Sequence, residues 1–183
     1  SDLVNSGTGT YHLSGGKLSS SSDNLAALCL GTNSSGTGSF NLSGTGTLEM
    51  TGTGLLQIGR SSSDSTSSTG TFSQTGGTAT LANMAMGNAS NSNTTSALML
   101  TGGTFFVSTG FTAMAAGTSS TASITIGGTA DVTLPAFPTL RGAGSTATLT
   151  FDGGILRPTA ASTTYIGGLS QATIQDGGAR SEE

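Results

Sequence analysis

Asp152 and Asp176 each precede a Gly-Gly pair, in "LTFDGG" and "TIQDGG", and with Asp131 and Arg157 they are the residues whose types could do chemistry here. Two carboxylates held one strand apart repel each other unless a cation or a proton intervenes, which makes Asp152 and Asp176 a candidate Ca²⁺ pair. The same acids, with Arg157 as a base, are the cluster that a polysaccharide-cleaving site would use. Ser14, Ser43, Thr75 and Thr101 stand at the same place before earlier glycines, however, and a polar residue is what any tight corner needs. There is no Trp to stack on a sugar ring, and Tyr11 and Tyr165 fall at different points of the repeat described below. Cys29, the only cysteine, lies between Leu28 and Leu30, and His12 is the only histidine. A structural thiol is therefore expected in place of a Cys–His nucleophile. The expectation is a non-enzyme with no catalytic residue and no cofactor.

The elements that hold these residues follow from an internal repeat. Glycines at positions 15, 44, 76, 102, 128, 153 and 177 each follow a pair of residues spaced i, i+2, as in "YHLSGG", "FNLSGT", "LMLTGG" and "LTFDGG". A second series, "LCLG", "LQIG", "MAMG", "MAAG", "TLRG" and "YIGG", interleaves with the first, and a third apolar stretch such as "TLEM" or "FFV" lies between them. Spacing of i, i+2 is the period of a strand with one buried face, and helical spacing is absent. The fold expected is all-β, a right-handed parallel β-helix with three short strands per coil and about six to seven coils of 24–32 residues. At about 4.8 Å per coil this makes a rod of roughly 30 Å. Leu13, Leu42, Gln74, Leu100, Ile126 and Phe151 are expected to stack on one inner wall, and Leu30, Ile58, Met86 and Ala116 on another. Gln74 and Gln175 interrupt inward positions, and Pro135 and Pro138 predict a bulge, since neither can donate to a ladder. Polar insertions at 19–24, 60–68 and 88–96 should enlarge the N-terminal half.

Composition limits what such a rod can bind. The chain holds 33 Thr, 29 Ser and 30 Gly, half of its 183 residues, yet its regular apolar pairs and net charge of only -4 argue against disorder. Charged residues are 8% of the chain, where about 25% is usual, so the surface must be hydroxyl and amide. The five Lys and Arg are scattered, which excludes nucleic acid as a partner. No apolar run is long enough to cross a membrane as a helix. A single domain over residues 1–183 is expected, read as a portion of a longer solenoid whose open coil edges invite end-to-end self-association.

The stretches "LSGTGTLEMTG", "LTGGTFFV", "LTFDGGILRPTA" and "ATIQDGGA" resemble the passenger-type β-helices of bacterial secreted and cell-surface proteins, in particular the autotransporter-associated β-strand repeats. The resemblance covers most of residues 7–179 and carries no catalytic residue over. It implies an extracellular or bacterial cell-surface location and a structural or adhesive role as a stalk, passenger or filament-forming module, with a surface glycan as a possible partner. A polysaccharide-binding or polysaccharide-cleaving β-helix is the alternative.

T-x-T patterns at Thr8 and Thr10, Thr45 and Thr47, Thr51 and Thr53, Thr69 and Thr71, and Thr146 to Thr150 permit a further alternative, an ice-binding β-solenoid. Aligned on the glycines they share no fixed position, and β propensity accounts for them equally. The N-glycosylation patterns at Asn33, Asn41, Asn88 and Asn93 are expected by chance in a chain so rich in Ser and Thr.

Overall fold

The computed structural model describes residues 7–21, 28–32, 35–61, 67–89 and 93–180; these are 69% strand, with no helix among them, and wind into a parallel β-solenoid of about six turns. Its ten strands are β1 (Thr8–Leu13), β2 (Lys17–Ser20), β3 (Leu28–Thr32), β4 (Thr37–Leu42), β5 (Thr47–Ser61), β6 (Ser68–Ala89), β7 (Thr94–Met114), β8 (Thr121–Leu134), β9 (Thr146–Pro158) and β10 (Gln171–Ile174). All pair in parallel within a single sheet. Short strands separated by corners describe only the first coil. From β5 onward the ladder runs through the corners, so that β6 alone spans 22 residues, because each turn of backbone finds its partner directly in the neighbouring coil.

Three sides make each coil. The first is β1, β4 and the opening of β6 to β9, with β10 closing the series. Here side chains alternate strictly, and Leu13, Leu42, Gln74, Leu100, Ile126 and Phe151 stack inward as the sequence predicts, ending on Ile174. Beside them runs a column of larger groups. Tyr11, Phe40 and Phe72 stack with ring centroids 5.3 Å apart, and Leu98, Ile124 and Leu149 continue the line. On the second side Leu18, Leu48, Ala79, Phe105, Val132 and Leu156 form the facing column.

The third side carries two departures from expectation. Leu30, Ile58 and Met86 stack as predicted, but the next member is Met114, not Ala116. The register shifts by one residue between Met84 and Ala85, and Ala115 then takes the corner opposite Gly87, with its N–H on the Met86 carbonyl. Gly31, Gly59, Gly87 and Ala115 all have positive φ, so an alanine occupies a conformation that the glycine pattern reserved for Gly117.

The prolines end the ladder where the sequence predicts a bulge, because neither can donate to it. β8 ends at Leu134, and residues 135–142 run on without strand pairing. Phe137 nevertheless stays buried, with its N–H on the Tyr165 carbonyl and its ring between Phe111 and Tyr165 at 5.7 and 5.8 Å. The side-chain column therefore outlasts the backbone ladder on this side. The polar insertions lie partly outside the described residues, at 22–24, 62–66 and 90–92.

Candidate functional site

The acids singled out by type are not brought together. Asp131 stands on the outer face of the second side, where its Oδ1 accepts the Nε–H of Arg157 from the next coil at 3.0 Å. Both groups are partly exposed, and a pair of this kind contributes little beyond local order. Lys17 and Glu49 make another pair on the same side, between the first and second coils. Asp152 lies at the corner after the first side, opposite Gly127, and its Oδ1 accepts the Gly177 N–H at 3.1 Å.

Asp176 is not stacked on Asp152. The register is set by Ile174 opposite Phe151, and the Gln175 N–H binds the Phe151 carbonyl, so Gln175 stands beside Asp152. One more residue separates Ile174 from its glycine than separates Phe151 from Gly153, and that extra residue lifts Asp176 into an exposed turn closed by the Gly178 N–H on the Gln175 carbonyl. Gln175 itself is exposed and takes no inward position. Gln74, by contrast, is fully buried: its Nε2 donates to the carbonyls of Gly77 and Thr104 at 3.2 and 3.0 Å, and its Oε1 has no partner. Among the described residues, no three His, Cys, Asp or Glu side chains are grouped to hold a metal ion.

Cys29 and His12 lie on different sides of the first coil. His12 faces outward from β1, and its Nδ1 accepts a hydrogen bond from Asn41 Nδ2 at 3.4 Å. Cys29 is half-buried on β3, where burial raises its thiol pKa and the neighbouring Arg60 guanidinium pulls it partly back. Among the described residues, the side chain that lowers this pKa is the Arg60 cation, not a base. Tyr165 is held inside by its hydroxyl, which donates to the Leu134 and Arg157 carbonyls at 3.2 and 3.1 Å, and burial pushes its pKa well above the usual phenol range. Among the described residues most rings belong to core columns, Tyr11 at the first coil being the exposed end of one, while Phe106 faces outward from the second side, half-buried. Of the glycosylation patterns, Asn41 sits on β4, Asn88 on β6 and Asn93 before β7, while Asn33 lies outside the described residues.

One feature that reading by glycines misses is on the outer face of the first side. Thr8, Thr37, Thr69, Thr95, Thr121 and Thr146 are consecutive register partners, a single column of six threonines. Two residues along, Thr10, Ser39, Thr71, Ala97, Ser123 and Thr148 form a second column. Three of the five T-x-T patterns, those beginning at Thr8, Thr69 and Thr146, thus do share one position. The signal was available: each threonine of the first column lies three residues before a member of the inward column Tyr11, Phe40, Phe72, Leu98, Ile124 and Leu149.

The class these observations define is a parallel β-solenoid of about six turns. No family profile, curated protein or solved structure matches the chain. No helix among the described residues is long and apolar enough to cross a membrane.

Proposed function

We propose that this chain is a non-enzymatic structural or adhesive solenoid, serving as a stalk or passenger module outside the cell, on a bacterial surface. The observation that carries the reading is the continuity of the stack. Inward columns run from Leu13 in the first coil to Ile174 in the last without a gap in register, and the outward acids Asp131 and Asp152 are taken up by a cross-coil pair and a corner. Backbone hydrogen bonds between coils lie along the rod, so a pull along the axis loads many of them together. Low charge lets like coils lie close without repulsion. The outer edges of β1 and β10 are suited to pairing with further coils or with second copies, and the hydroxyl-rich sides are suited to a neutral surface glycan.

Single-molecule stretching of the chain, held near residues 8 and 174, tests the mechanical part. Stepwise release of one coil at a time at sustained force is expected, and extension at negligible force would overturn it. Incubation with a panel of plant and bacterial polysaccharides tests the other part, since release of new reducing or unsaturated ends would show an enzyme.

A further inference from the structure

We infer that the outer face of the first side binds ice through its threonine columns, a role that goes beyond the rod reading and does not depend on it. The geometry is regular. Along this side the pairings β1 with β4, β4 with β6, and the opening segments of β6 to β9 run without a register shift, so the grid repeats at about 4.8 Å between coils and about 6.6 Å between the two columns. Spacings of that scale also separate oxygen positions in the planes of ice.

Chemistry narrows the occupant. The two columns hold only Thr, Ser and one Ala, with no acid, no base and no amide, so nothing on them selects an ion or a charged polymer. His12, in the third outward column, is the single titratable group facing out from this side, and it lies at the first coil. No ring projects between the columns, because Phe40 and Phe72 stack inward, and a sugar polymer would lack its usual stacking surface. Each threonine offers one hydroxyl and one methyl on a branched carbon with few rotamers, which presents donor, acceptor and apolar contact in a fixed array. Thr8, Thr95, Thr121 and Thr146 are exposed and Thr37 and Thr69 half-buried by their neighbours, so the hydroxyl column is open to solvent at both halves of the rod. Ala97 and Met99 place apolar contact at its centre. A neutral, repeating, extended surface of water molecules fits this array better than any single small ligand.

The experiment is partition of the purified chain into a slowly growing ice hemisphere, together with thermal hysteresis. The parent chain is expected to enter the ice and to hold a freezing gap. Replacing Thr95→Lys and Thr121→Lys together should abolish both, whereas Thr78→Lys, on the outer face of the second side, should leave both unchanged. All three must melt at similar temperatures by circular dichroism, which separates loss of the face from loss of the fold. Exclusion of the parent from ice overturns the inference, and so does equal loss in the Thr78→Lys control. A dimer that disappears in the double variant, without ice partition in the parent, overturns it in favour of a second copy on this face.

Discussion

The ring of Phe105 lies over Ala79 of the preceding coil and meets Phe72 edge-on, with centroids 5.6 Å apart. A large side chain on the second side has filled the room that a small one left, and it reaches across the interior to the first side. Both Phe105 and Phe72 are 1% exposed or less. Interdigitation of this kind gives a solenoid core its density without any helix to cover it.

Phe105→Ala should therefore be costly, because the cavity would be walled by Ala79 and cannot collapse from that side. A loss of about 3–5 kcal/mol is expected in urea unfolding. Ala79→Phe in the parent should overpack and cost about 1–3 kcal/mol. Combining the two exchanges large for small within one column, and a double variant more stable than the Phe105→Ala single would show the coupling.

Gly59 and Ser96 make a second testable contact. Gly59 has φ +68°, and an added Cβ there would collide with Ser96 Oγ, which donates to the Ile58 carbonyl at 2.8 Å. Gly59→Ala should cost about 1–2 kcal/mol for the left-handed backbone and about 1 kcal/mol more for the displaced hydroxyl. Removing that hydroxyl first with Ser96→Ala relieves the collision but not the backbone strain. The double-mutant cycle should accordingly show the two changes summing to less than their separate costs.

The Tyr165 phenol predicts an alkaline limit to stability. Burial holds it neutral in the fold and raises its pKa, while in the unfolded chain it ionises near its ordinary value of 10.0. Above that pH the unfolded chain has given up the proton and folding must take it back, so stability falls as pH rises past about 10. Tyr165→Phe should cost about 1 kcal/mol at neutral pH through its lost hydrogen bonds to Leu134 and Arg157, and should flatten the decline. Thermal melts of both chains from pH 8 to pH 11 would check it; parallel declines would refute it.

Much of this architecture can be read from residue order, and the exceptions have physical causes. Pairs such as Leu98 and Leu100, or Ile124 and Ile126, declare a strand period directly, and their recurrence fixes the stack. Glycines were a poorer ruler. They mark corners, and corners absorb length, which is why Gly177 misaligns Asp176 and Gly117 misplaces Met114. Ala115 could not be foreseen, since alanine gives no hint of positive φ until the bulge at Thr112 is known. The threonine face was hidden for the same reason as the aspartates: it is regular relative to the inward columns, and irregular relative to the corners.

Coil length varies, yet along the first side the ladder does not. Successive threonines of the outer column lie 25 to 32 residues apart, and the chain spends more residues between Ser61 and Ser68 than between Ala89 and Thr94, while the strands on both sides stay in step. Perimeter is thereby uncoupled from pitch. A foreign peptide spliced between Ser61 and Ser68 would ride on the rod as cargo, leaving every rung where it was, and the molecule would serve as a display scaffold with addresses spaced by single coils.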